Sequence, residues 1–558
     1  MADRKMQAFQ FKDAKPPNEG GWPGLRPGSL VVDGMVTERD VAVTMRDGIR
    51  IYVDVCRPEG ADPVPVLLAY GPFGKHASMH PTLAAGADIE PELPPGSPFE
   101  APLASYWVSH GYAVVHADPR GTWGSEGDAT MFSVREAEDG YDLVEWAGTQ
   151  AWSSGHVGMS GVSYLAMSQY HVAATRPPHL TAINPSEGMS DFYREALTQG
   201  GMLETQFAGQ FGSIIGFGLG RFEDMVSEVF EHPFLDEFWQ AKSPDLSRIE
   251  VPTFLVASVG NQNLHTRGTL EAFKRIGSTE KWLDVHGRKE WRYYYMPDNM
   301  DRQRAFFDHF LKGLDTEVTS WPRVRVEYRD RANSGPIREE SEWPIARTLH
   351  TDWFLDAGSA RLLATSPAEE QTNTYDPTAA GFPATAGDQR ATFDLRFEKE
   401  TDLAGHAALR LWVESPGAEN MDLFVNLDKL DASGRRIGFP YFACLDDGPL
   451  AQGWLRASRR DLDPERSTPA QPVQAHQRDL PLPSGEPVAV DIEIWPFTAT
   501  FGPGETLRLT VAGADINRYP PEEFAPGHDM LVNTAPHVLH TGGGYPSRLS
   551  LPVIPRSA

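Results

Sequence analysis

At 558 residues the chain is too long for one hydrophobic core, and its 14 Trp, 16 Tyr and 28 Phe can fill two or three. A net charge of −27 excludes the basic face that a nucleic-acid partner requires, and two distant cysteines, Cys56 and Cys444, exclude a disulfide framework. The first twenty residues contain no apolar run of the signal-peptide kind, and no segment reaches 18 uninterrupted apolar residues; we expect a cytoplasmic protein without a membrane partner.

Along the first 320 residues short apolar runs alternate with helical stretches. VPVLLAY (64–70), YAVVHAD (112–118), HVGMSGV (156–162), LTAINPS (180–186), PTFLVAS (252–258) and WLDVHG (282–287) read as buried strands. Segments such as EAEDGYDLVEWAG and RGTLEAFKRIG read as the helices between them. This order predicts an α/β domain over 1–189 and 251–320, a mostly parallel sheet covered on both faces, with ligands beyond the carboxyl ends of its strands. Residues 190–250 interrupt the rhythm with aromatic-rich amphipathic segments, expected to form a helical cap insertion. From 321 to 558 the period changes to two: Val488, Val490, Ile492 and Ile494 alternate with Ala489, Asp491 and Glu493, which predicts half-buried antiparallel strands and an all-β jelly-roll domain. Residues 366–389 read as a long loop.

Gly161-Val162-Ser163-Tyr164 ends one predicted strand and opens the helix SYLAMSQYHVAA. Such a strand–serine–helix turn presents a nucleophilic serine, with the next backbone N–H, that of Tyr164, aimed at a developing oxyanion. The usual second glycine is replaced by Leu165. Ser160 competes for the role but falls inside the apolar run, and an N-cap serine is the structural alternative for Ser163.

HADPRGTWGSEG (116–127), AEDGYDLVEWAGTQAWSSGHVGMSGVSYLA, LHTRGTLEAF and GWLRASRRDLDP with LPSGEPVAVDIEIWP together resemble the cocaine esterase-like (CocE/NonD) hydrolases and their X-prolyl dipeptidyl aminopeptidase relatives. The resemblance implies an α/β-hydrolase with a helical cap and a C-terminal jelly roll, Ser163 as nucleophile, and an oxyanion hole formed by the Tyr164 N–H and the Tyr70 hydroxyl. It implies no cofactor and no metal. The expected partner is a small-molecule ester or amide, and the sequence leaves room for a homo-oligomer.

The pattern breaks at the charge relay. Where the family carries an aspartate before LHTRG, this chain has Asn261, and no carboxylate occurs between Glu250 and Glu271. An amide there can hold an imidazole in the unproductive tautomer, a change worth about 10⁴ in kcat in a serine protease. If Asn261 orients the histidine, Asn261→Asp raises turnover. Asp284 and Glu290 are substitutes by proximity in sequence. His286, closing the strand WLDVHG, is assigned as the base, with His265 as its rival. The relatives' G-P-W-x-H loop corresponds to GRKEW, which has no histidine. The sequence therefore points to a serine esterase or amidase acting through an acyl-enzyme, with a catalytically silent, ligand-binding relative as the alternative. Asp118 and Arg120 are read as loop-stabilising, the acids of EAEDGYDLVE as a solvated face, and His76 and His80 as lacking a third metal ligand.

Overall fold

The computed structural model describes residues 8–556 except 61, 78–82, 84–85, 91, 95, 378–388 and 522. Its first half is built on an 11-stranded sheet. The strands are β1 (Gly28–Val32), β2 (Met35–Thr44), β3 (Arg50–Pro58), β4 (Val64–Tyr70), β5 (Ala113–Ala117), β6 (Ser153–Val162), β7 (Leu180–Ser186), β8 (Thr253–Ser258), β9 (Lys281–His286), β10 (Val324–Glu327) and β11 (Ile337–Glu340). The spatial order is β11-β10-β9-β8-β7-β6-β4-β5-β3-β2-β1. The strands from β10 to β5 in that order pair in parallel, and antiparallel strands close both edges. The parallel strands carry near-continuous apolar runs because helices cover both faces. Leu68, Val115, Val157, Ile183, Leu255 and Leu283 stand in one core, Leu67, Val114, Phe254 and Phe307 in another.

The helices that matter for the site are α1 (Val134–Gly148), α2 (Tyr164–Thr175), α3 (Gln206–Ile215), α4 (Met225–Glu231), α5 (Glu237–Ala241), α6 (Thr266–Arg275), α7 (Glu290–Tyr295) and α8 (Pro297–Lys312). Between β7 and β8, α3 to α5 follow a π-helical turn at Tyr193–Leu197. A short strand there, Arg221–Glu223, pairs with Phe11–Asp13 near the start of the chain. The inner aromatic faces of this insertion (Phe192, Phe207, Phe211) join Tyr164, Leu165 and Trp291 in one apolar cluster. Two acids of α1 correct the expected solvated face, while Glu138, Asp142 and Glu145 remain part-exposed. Asp139 is fully buried because Arg120 grips it with two 2.7 Å hydrogen bonds, and Glu136 is buried where it accepts the Tyr164 hydroxyl at 2.6 Å.

The second half is a 12-stranded sheet around a core of Leu409, Leu411, Ile492, Ile494, Leu507 and Leu509. It closes on itself: the strand at the end of its order, Arg548–Ile554, also pairs with Thr401–Glu414. By hydrogen bonding it is therefore one continuous sheet. Gln371–Tyr375, expected in a long loop, forms a strand against His537–Thr541, and the segment 378–388 lies outside the described residues. Alternation holds from Val488 to Ile494, then shifts phase at a bulge opposite Gly405–Ala407, so that Phe497, Ala499 and Phe501 continue the core face. Glu493 points away from the barrel core and is nonetheless buried, because the first half of the chain covers it. Cys56 and Cys444 are free thiols. No helix of the described residues is long and apolar enough to cross a membrane.

Candidate active site

Ser163 sits between β6 and α2 with φ 55° and ψ −115°, a conformation that L-residues adopt only under constraint. Its N–H donates to the Ser186 carbonyl at 3.0 Å, and the Val162 N–H donates to the Glu100 carbonyl at 3.0 Å, so both sides of the turn are pinned. Gly161 is required here: a Cβ would stand 2.5 Å from the Leu165 Cβ and 3.0 Å from the Glu100 carbonyl oxygen. Leu165 replaces the usual second glycine because Gly71 opposite it leaves room; a Cβ at 71 would meet its Cδ1 at 2.3 Å. The Ser163 side chain makes no N-cap hydrogen bond. Its Oγ lies instead 3.0 Å from Nε2 of His265, the residue that caps α6.

His265 is buried, and desolvation pushes its imidazole down to about 3, so the ring is neutral at physiological pH. Among the described residues its Nδ1 has no hydrogen-bond partner. Around it stand three buried glutamates. Glu290, at the start of α7, places Oε2 3.7 Å from His265 Nε2. The Asn261 amide donates to Glu290 Oε2 at 2.6 Å and to Glu187 Oε2 at 3.0 Å. Glu187 follows β7 with a positive φ of 55° and shares a hydrogen bond with Glu290. Glu100 accepts from the Trp291 indole at 3.1 Å and turns its carboxyl toward the Ser163 hydroxyl and the Tyr164 N–H. Burial, and then the charge of Glu290, push Glu187 and Glu100 well above the usual carboxylate range. Burial also raises Glu290, to about 8, against the Asn261 and Glu187 hydrogen bonds that favour its charge.

Residues 47–217 match the X-Pro dipeptidyl-peptidase (S15 family), and residues 316–550 match the X-Pro dipeptidyl-peptidase C-terminal non-catalytic domain. Cocaine esterase from Rhodococcus sp. (strain MB1 Bresler) is 26% identical over 94% of this chain and 100% of its own. The solved structure of a CocE/NonD family hydrolase from Staphylococcus aureus superposes with a TM-score of 0.89 at 36% identity, covering 97% of this chain and 99% of that one. The chain belongs to the CocE/NonD family of hydrolases. An α-amino acid ester hydrolase, at 19% identity and a TM-score of 0.71, shares the fold across 95% of the chain.

Against the expectations from sequence, the structure places several residues of this CocE/NonD hydrolase differently. Ser163 and the Tyr164 backbone share one turn, and the Asn261 side chain is linked to them through Glu290, which lies near His265. His286 does not face Ser163: it stacks on Tyr293 at 3.6 Å, with Nε2 3.1 Å from Glu187 Oε1, and His265 stands at the serine instead. The reason is topological, since the loop after β8 turns back on itself through hydrogen bonds to the Asn261 carbonyl and brings His265 over the strand ends. Tyr70 also departs from expectation. Its hydroxyl points into α1 and donates to the Glu136 carbonyl at 3.4 Å. Ser160 is a strand residue bonded to Tyr294 at 2.9 Å and Asn184 at 3.3 Å. Asp284 is engaged by Arg302 at 3.2 Å and Arg325 at 3.0 Å. Asp118 accepts the Lys75 N–H at 2.8 Å, a loop-holding bond. His76 packs on Trp123, and His80 lies outside the described residues. Among the described residues no group of three or more His, Cys, Asp or Glu side chains could hold a metal ion. Sequence reasoning missed Glu100 and Glu187. The available signal for Glu187 was its place just past a buried strand, at the sheet edge where the other motifs gather.

Proposed function

We propose that the chain cleaves a small carboxylic ester or amide through an acyl-enzyme on Ser163, with His265 as the base. The observation that carries this reading is the 3.0 Å approach of Ser163 Oγ to His265 Nε2 on a backbone held in a strained turn. The neutral imidazole takes the serine proton as Oγ bonds to the acyl carbon. The same proton then passes from Nε2 to the departing alcohol or amine, and a water molecule repeats the sequence to release the acid. The developing oxyanion is met by the Tyr164 N–H at the amino end of α2. Glu100, kept neutral by burial, faces that N–H and gives a second donor through its carboxylic acid, a role that needs a carboxyl group protonated at neutral pH. The insertion over 190–250 serves as a cap, supported by the packing of Phe192, Phe207 and Phe211 against Tyr164.

A fluorophosphonate probe tests the reading directly. Wild type is labelled at Ser163, and labelling is lost in Ser163→Ala and His265→Ala but kept in Ser160→Ala and His286→Gln. No labelling of wild type between pH 6 and 10 sinks the proposal and favours a ligand-binding relative without acyl transfer.

A further inference from the structure

The imidazolium formed when His265 takes the serine proton is a buried cation, and a buried cation needs a nearby negative charge. Asn261 carries none, and Asp284 is neutralised by Arg302 and Arg325. Glu290 is the carboxyl group within reach: its Oε2 lies 3.7 Å from His265 Nε2, and both side chains are 1% exposed.

We propose that Glu290 is the positioning residue that supplies this charge, with its carboxylate fixed by the Asn261 amide and joined to Glu187 by a shared proton. The inference rests on the serine-hydrolase reading above. It also accounts for asparagine at 261. One Nδ2 donates to both Glu290 and Glu187, whereas an aspartate there would press a further carboxylate against two that already repel each other. The arrangement differs from the usual triad in the nitrogen addressed. Among the described residues His265 Nδ1 has no hydrogen-bond partner, and Glu290 acts by charge on the Nε2 side, which Ser163 also faces. During turnover Glu290 neither gains nor loses a proton; the serine proton goes to Nε2 and on to the leaving group.

The groups facing Glu290 fix its pH dependence. Glu187, Glu100 and the Cys444 thiol lie around it, His265 is neutral, and the neighbouring Lys289 is turned away to Asp446 at 2.9 Å. Among the described residues no cation lowers it. With Glu187 and Glu100 held well above the usual range, Glu290 is the first of the three to ionise as pH rises, near 8.

The test reads the rate of fluorophosphonate labelling and of p-nitrophenyl acetate hydrolysis from pH 5 to 10. In wild type both rates rise through a limb near 8. Glu290→Gln lowers them by about 10² to 10⁴-fold, the scale of losing a triad charge, and removes the limb. Asn261→Ala, which deletes a donor to the carboxylate but keeps the carboxylate, moves the limb to higher pH and recovers rate at the alkaline end. Wild-type rates and an unshifted limb in Glu290→Gln overturn the inference while leaving Ser163 labelling intact. Failure to label wild type removes the hydrolase reading itself. Should Glu290→Gln not fold, an unmoved limb in Asn261→Ala overturns the inference.

Discussion

Two groups of buried glutamates flank the first turn of α6, and they are held in opposite ways. On one side Glu195, from the insertion, and Glu493, from the barrel, converge on Arg267. Its Nη1 donates to Glu195 at 2.7 Å and its Nε to Glu493 at 3.0 Å. Glu271 stands beside them, bonded to Lys274 at 2.6 Å and Gln471 at 2.8 Å. Burial opposes charge in all three; the guanidinium overcomes it in Glu271, brought to about 2, and in Glu493, lower still, but only limits it in Glu195, which stays raised to about 6. On the other side Glu100, Glu187 and Glu290 have the same burial and, among the described residues, no cation, and all three are raised. The contrast teaches that burial alone does not decide the state of a carboxyl group here. The first group is an ionic clamp joining insertion, sheet and barrel; the second is a store of protons beside a nucleophile.

Removing the clamp's cation breaks the comparison most severely. Arg267→Met leaves buried carboxylates unpaired and costs about 3–5 kcal/mol, read as a lower urea midpoint. A normal midpoint would mean that the clamp carries no stability. Next comes Glu100. Glu100→Leu lowers kcat by about 10² to 10³-fold with little change in KM, the cost of one oxyanion donor, whereas Glu100→Gln retains a donor and loses less. Equal losses in the two variants would deny Glu100 that role.

Asn261→Asp sharpens the contrast, because it adds a carboxylate to the side that has no cation. The sequence argument expected a gain in turnover. The geometry reverses the sign, since two hydrogen bonds to buried carboxyl groups are lost, at a cost of about 1–3 kcal/mol in stability, with lower ester turnover at pH 7. The smallest effect is in melting. A carboxyl group raised in the fold contributes stability that is fully present below its unfolded pKa and is lost as pH rises through its folded value. For Glu290 this window runs from the ordinary glutamate range up to about 8. Glu187→Gln therefore lessens the fall in Tm between pH 5 and 9, by about 1 °C for each kcal/mol relieved in a chain of this length. The clamp has the opposite window: Glu271 and Glu493 are lowered, so their contribution is present at neutral pH and fails only under strong acid.

The strands were legible in the sequence because a sheet buried on both faces writes itself as apolar runs; VPVLLAY and LTAINPS match β4 and β7 residue for residue. Ser163 was legible because a strained strand-to-helix turn needs a particular local spacing. The charged partners were not. His265 and Glu290 meet through the path of two loops, and chain order favoured His286, which closes a strand but faces Glu187. Glu493 looked like an outward residue of a half-buried strand, and period-two reasoning had no means of seeing the Arg267 that covers it. Tyr70 was placed by family resemblance, and the direction of one side-chain bond sent its hydroxyl into α1.

The loop that carries Asn261 continues through Gln262, whose amide donates to the Pro496 carbonyl at 2.9 Å and whose oxygen accepts the Gln452 N–H at 3.3 Å. Tyr441 and Phe442, also from the barrel half, lie in the same apolar cluster as Tyr164. Truncation near residue 320 would thus strip lining and loop support from the reactive serine's surroundings along with the trailing module. Chimeras that trade barrels among relatives would carry part of that lining with the graft, so selectivity and assembly would be inherited together.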